Sequence, residues 1–228
     1  MRMNTKKLMD TMRMASRQMP SKDWAYLFAT GKSELEFRNQ IALHLHKVKL
    51  PSQVIAREWK RHDLTILESG VPKVIVEGKS WIHFDATYDA KLRKGDRSIL
   101  SGMLKDIKKM EDTKSKFPEV DCFISVLLFT VDVSQVDKTV LHNAQVTYAD
   151  QHKRAIKKYE SAEGVVQFAR SNLKQMLEEY GHVECELIET GSYQEMPVYV
   201  DLFLMQVNKL KKTKPGKGAR RKNTKSSK

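Results

Sequence analysis

The chain has 228 residues, of which 40% are apolar and 30% charged, a balance that excludes a disordered chain and suits a globular protein with a wet surface. Its formal net charge is +13, but residues 209–228 hold ten Lys or Arg and no acid, so residues 1–208 carry only +3. The longest apolar run, Cys122 to Val131, is broken by Ser125 and Thr130 and falls short of the roughly 20 residues of a membrane span. Cys122 and Cys185 are far apart and in no metal spacing, so they read as reduced thiols of a cytoplasmic protein.

Residues 1–32 read as an N-terminal helical segment. Six of the eleven methionines lie in residues 1–20, and Leu8, Met9 and Met12 line one side of a helix that packs on the body. Pro20-Ser21 ends it, and Ser21 caps a second helix holding Trp24, Tyr26, Leu27 and Phe28. Thr30-Gly31-Lys32-Ser33 is not a P-loop, because Tyr26 stands where that loop needs glycine. Gly31 is read as a helix C-cap and Ser33 as the next N-cap.

Residues 33–133 form the expected core. Phe37, Ile41 and Leu45 give the apolar face of a helix that starts at Ser33. Ser33 and Glu36 match a capping box, in which the backbone would satisfy Glu36. Val54 to Trp59 reads as a strand, with Arg57 placed either on a phosphate or against an acid. Lys60, Arg61 and His62 form a basic cluster, and a cationic cluster suits a polyanion. A hairpin follows: Asp63 to Leu67, turn residues Glu68-Ser69-Gly70, then Val74 to Lys79 after Pro72. Ser98 to Lys114 reads as a helix with Ile99, Met103, Ile107 and Met110 inward, and Val120 to Val133 as a buried strand. Residues 134–208 complete the same domain with two helices (Ala149–Ser161, Glu163–Tyr180) and two strands (Val183–Glu189, Met196–Val207). The last strand is apolar at its centre except for Asp201. Residues 209–228, with Arg220 and Arg221, read as a disordered basic tail that binds phosphates without sequence preference.

The chemistry gathers at the hairpin. Alternate strand residues share a face, so Glu77 and Lys79 project together with Ile75, while Val74, Val76 and Gly78 face the other way. Asp63 begins the partner strand, and pairing brings both carboxylates to one end of the sheet. Two close carboxylates need a cation, and oxygen donors suit Mg²⁺. A bound Mg²⁺ can activate water against a phosphodiester, and a lysine beside it can neutralise the phosphate. The reading requires Asp63, Glu77 and Lys79 to face one ion. Carboxylates more than about 8 Å apart could not share it, given metal–oxygen bonds near 2.1 Å.

Asp63 followed by Glu77-Gly78-Lys79 at the end of an apolar strand resembles the PD-(D/E)xK nuclease superfamily, over roughly residues 33–132. His62 stands where the motif has proline, and Gly78 where an apolar side chain is commoner. The resemblance implies a restriction-endonuclease-like α/β fold, a central mixed sheet flanked by helices. It implies Asp63, Glu77 and the Gly78 carbonyl as holders of Mg²⁺, with Mn²⁺ as a substitute. Lys79 would be the catalytic lysine and Glu36 an auxiliary acid. A helix lysine, Lys105 or Lys108, would reach the site, and Arg57, Lys60 and Arg61 would touch the nucleic acid. The expected function is a Mg²⁺-dependent DNA endonuclease, acting on duplex DNA, with a homodimer as the expected form for cutting both strands and no membrane partner. The alternative is a catalytically inactive nucleic-acid-binding protein of the same fold.

Overall fold

The β-branched runs build one mixed sheet. In this computed structural model, which describes residues 3–31, 33–87 and 99–207, six strands lie in the order β1-β2-β3-β4-β7-β5. They are β1 (Gln53–Trp59), β2 (His62–Glu68), β3 (Val71–Ile82), β4 (Asp121–Val131), β5 (Gly181–Ile188) and β7 (Met196–Val207); the two-residue β6 (Ser192–Tyr193) pairs only with β7. β1, β2 and β3 form an antiparallel meander, β3 runs parallel to β4, and β7 is antiparallel to both β4 and β5. The parallel step needs a crossover, and α5 (Ile99–Lys116) supplies it.

Helices cover both faces, so the fold is α/β. β4 is buried along its whole length, as expected of a strand sandwiched between two layers. Its Phe123, Leu127 and Phe129 face a layer made by α1 (Thr5–Ser16), α2 (Ser21–Thr30) and α3 (Ser33–Val48), joined by α6 (Lys138–Asn143) and α7 (Ala149–Tyr159). Its Ile124, Val126 and Leu128 face α5 and α8 (Ala162–Glu178). Leu8, Met12, Trp24 and Phe28 are fully or almost fully buried in the first layer, so the N-terminal helices share the core. β3 continues past Lys79, pairs with β4 as far as Ile82 and ends in the short α4 (His83–Ala86). No described helix is long and apolar enough to cross a membrane.

Candidate active site

β2 and β3 pair only as far as Leu64 opposite Val76. Beyond that point the strands part, and the outward N–H groups of β3 lose their strand partner. Two carboxylates replace it. Asp63 Oδ2 accepts from the Gly78 N–H at 2.8 Å, and Glu34 Oε2, from the first turn of α3, accepts from the Ser80 N–H at 3.0 Å. Arg38, one helical turn after Glu34, reaches Asp63 Oδ1 at 3.1 Å and Glu58 at 2.5 Å. Between them lies a cavity of ≈ 20 Å³ whose polar lining includes Glu34, Asp63, Gly78, Lys79 and Ser125. That is room for one water-sized guest. A Cβ on Gly78 would lie 3.7 Å from both Asp63 Oδ2 and Glu34 Cγ, and 3.8 Å from Ser125 Oγ, so the absent side chain is what keeps the space open.

The other face of β3 meets α5. Lys79 Nζ pairs with Asp106 at 2.8 Å. Glu77 is almost fully buried, and its Oε1 takes Lys109 Nζ at 2.6 Å and His62 Nδ1 at 2.6 Å. His62 Nε2 also meets the Thr113 hydroxyl at 2.9 Å. Asp106, Lys109 and Thr113 follow one another by three and four residues, which puts them on one helical face.

The placement corrects part of the expected site. Asp63, Gly78 and Lys79 line one cavity, although Asp106 holds the Lys79 ammonium on the α5 side; Glu77, held on that side by Lys109 and His62, does not line it. The carboxylate that joins Asp63 is Glu34. Glu36 neither enters the cavity nor forms the capping box: it accepts from Gln40 at 2.7 Å, and the Ser33 hydroxyl meets that of Ser80 at 3.1 Å. Helical spacing could have told the two apart, since Glu34, Phe37, Arg38 and Ile41 repeat at the intervals of one inward face. Arg57 sits on the outer side of α3, bonded to Asn39 at 2.8 Å. Lys105 and Lys108 are exposed, and the α5 lysine that reaches β3 is Lys109. Lys60 and Arg61 form the exposed β1–β2 turn. Arg220 and Arg221 lie outside the described residues.

The charges tune one another. Burial pushes the Glu34 carboxyl above its ordinary range, with the charge of Asp63 adding to it and Lys79, the Ser80 N–H and Arg38 opposing. Burial pulls the Lys79 ammonium down, but the hydrogen bond and charge of Asp106, with the charges of Glu34 and Asp63, outweigh it and hold Lys79 above its ordinary value. Lys79 is therefore a cation and hydrogen-bond donor at neutral pH rather than a base.

A second buried polar group anchors the far end of β3. His83 Nε2 and Arg170 both meet the fully buried Asp201, at 3.1 Å and at 2.6–3.1 Å, and His83 Nδ1 meets the Thr130 hydroxyl at 3.1 Å. The one acid in the apolar centre of β7 thus ties β3 and α4 to α8.

Among the described residues, no group of three or more His, Cys, Asp or Glu stands close enough to hold a metal. Asp63 and Glu34 are a two-carboxylate set, a number with which Mg²⁺ is commonly held beside waters and substrate phosphate. The carboxylate oxygens, the water-sized cavity and the repulsion between the two acids fit such an ion, and Arg38 with five apolar side chains makes up much of the remaining lining. No protein family, curated protein or solved structure matches the chain.

Proposed function

We propose that the chain is a nuclease that hydrolyses phosphodiester bonds in DNA with Mg²⁺. The observation that carries the reading is the cavity where β2 and β3 part, which brings Asp63, Glu34 and Lys79 together beside Arg38 and five apolar side chains. Asp63 and Glu34 would hold the ion, and Gly78 leaves room for it. Mg²⁺, when bound, lowers the pKa of a water and offsets charge on a phosphoryl oxygen. The chain's own part is orientation and charge. Lys79, kept as an ammonium by its three acidic neighbours, donates to the phosphate as negative charge builds on it. Arg38 holds Asp63 in place and neutralises it until substrate arrives.

One observation favours a second reading, a nucleic-acid-binding protein without catalysis. Asp63, Glu77 and Glu34 all have partners already: Arg38 and the Gly78 N–H, Lys109 and His62, and the Ser80 N–H.

Plasmid cleavage in Mg²⁺, in Mn²⁺ and in EDTA separates the two. The expected result is metal-dependent nicking that Lys79→Ala reduces at least about 100-fold, with DNA binding retained. No cleavage by the wild-type chain in either metal, or cleavage that survives Lys79→Ala, overturns the hydrolytic reading.

A further inference from the structure

The β1–β2 hairpin closes through a two-residue turn. Trp59 pairs with His62, and Lys60 and Arg61 between them are both left-handed, with φ of 48° and 71°. Such a turn needs positive φ at both central positions, which Asn-Gly or Asp-Gly adopts at least cost. The β2–β3 turn follows that preference at its second position, with Gly70 after Ser69. In the first turn, Lys60 and Arg61 instead bear the clash between Cβ and carbonyl that disfavours left-handed L-residues. Glu58 just before them is left-handed too, with φ of 58°. Strain of this kind persists where surrounding structure enforces it, and it concentrates at functional sites.

Both side chains open on a groove between the turn and α5. Among the described residues, Lys60, Arg61, Lys105, Lys108, Lys109 and Lys116 line it, with two carboxylates, Asp106 and Asp112. Its geometry is fixed at two points. The Lys60 ammonium stands 4.7 Å from the Trp59 ring centre and 5.5 Å from that of Phe117. Lys109 Nζ bonds the Arg61 carbonyl at 2.8 Å, fastening the turn to α5. Lys109 also meets Glu77, so the inner end of the groove abuts the strand that carries Lys79.

We infer that this groove is the track for the phosphates of a nucleic-acid strand, leading along α5 to the candidate active site. Cations dense enough to displace condensed counterions bind a polynucleotide backbone without reading its bases. The strained turn is kept because it sets two of those cations at the mouth of the track. The inference rests on the nucleic-acid reading of the chain but not on hydrolysis.

The test uses the full chain in EDTA. Three fluorescein-labelled 20-mers serve as probes, single-stranded DNA, duplex DNA and RNA, each titrated at several salt concentrations. Lys60→Asn with Arg61→Gly suits the turn better, so this variant melts at the wild-type temperature or above. The same replacement at Gln194 and Glu195, another left-handed two-residue turn with φ of 49° and 65°, is the control outside the groove. Expected is an affinity loss of about tenfold for the Lys60/Arg61 variant alone. Its slope of log K against log salt should fall by roughly 1.8 for a duplex or 1.4 for a single strand. The probe that shows the loss identifies the strand form. Unchanged affinity and slope in a folded variant, or no oligonucleotide binding by the wild-type chain, overturns the track. Plasmid cleavage persisting beside unchanged binding would leave hydrolysis standing without the track, and loss of binding with no cleavage would do the reverse.

Discussion

Lys109→Met tests the polar core of the site through stability alone. The Glu77 side chain is 2% exposed, and its Oε1 has Lys109 Nζ and His62 Nδ1 each at 2.6 Å. Methionine keeps most of the lysine stem, so the change removes charge with little loss of packing. Stripping one partner from a buried ion pair costs about 3–5 kcal/mol. Two features reduce that here: His62 remains on Glu77, and Lys109 is 29% exposed and so partly screened by water. The expected cost is about 2 kcal/mol, or roughly 4–8 °C of melting temperature for a chain of this size. Adding Glu77→Gln removes the stranded charge and should restore about half or more of the loss. Urea denaturation of the four proteins in metal-free buffer closes a double-mutant cycle with a coupling near 1–2 kcal/mol. A cost under about 0.5 kcal/mol for Lys109→Met, or two effects that simply add, would mean that Lys109 is not what balances Glu77.

Two further substitutions probe the cavity and the core. Gly78→Ala places a methyl in ordinary contact with Asp63 and Glu34, so stability should stay within about 0.5 kcal/mol. Mn²⁺ binding followed by electron paramagnetic resonance should weaken at least about tenfold; unchanged binding would move the ion elsewhere. His152 on α7 is buried beside the Phe129 ring, and neither ring nitrogen has a hydrogen-bond partner among the described residues. Burial, with the charge of His83, pushes its pKa down from 6.5 to about 3. The unfolded chain therefore binds the extra proton between those values, and stability drops as pH falls through that window, by at most about 1.4 kcal/mol per unit. His152→Leu should gain about 1 kcal/mol at pH 7 and flatten this slope between pH 6.5 and 4.5. Parallel pH profiles for the two proteins would refute the buried neutral imidazole.

The strands were legible because each is a β-branched run bounded by turn residues. Val54 to Trp59, Asp63 to Leu67 and Met196 to Val207 all lie within a residue of the observed ends. Residues 134–148 alternate weakly and read as loop plus a short element; that element is α6, whose six residues give no helical period to name it a helix. The pairing of charges was hidden for a different reason. Strand alternation put Glu77 and Lys79 on one face, as found, but it could not say that α5 covers that face with Asp106 and Lys109. Asp63 should have joined Glu77 had the ladder continued one more pair. The ladder stops at Leu64 and Val76, and the unpaired Gly78 N–H claims Asp63 instead. Glu34 and Glu36 lie on different faces of α3, and the spacing of Glu34 to Phe37 and Ile41 marks Glu34 as the inward one.

The closed network around Asp63 does not by itself forbid a metal. Arg38 has two carboxylate partners, Asp63 at 3.1 Å and Glu58 at 2.5 Å, and the Glu58 side chain is 60% exposed on the outer edge. Releasing Asp63 therefore does not strand a buried guanidinium; it leaves Arg38 on an acid it already holds. A divalent ion between Asp63 and Glu34 would replace one arginine contact and offset the burial and, to a lesser degree, the Asp63 charge that raise Glu34. Glu77 has no such exit. Its carboxylate is buried between Lys109 and His62, and among the described residues neither partner pairs with an exposed acid. The asymmetry is physical, and it puts the adaptable half of the site on the α3 side and the fixed half on the α5 side. If the chain binds a metal, the ion enters beside Arg38, and Arg38→Met should strengthen Mn²⁺ binding, whereas Lys109→Met should not. Equal responses from the two variants would mean that the metal approaches through Glu77 after all.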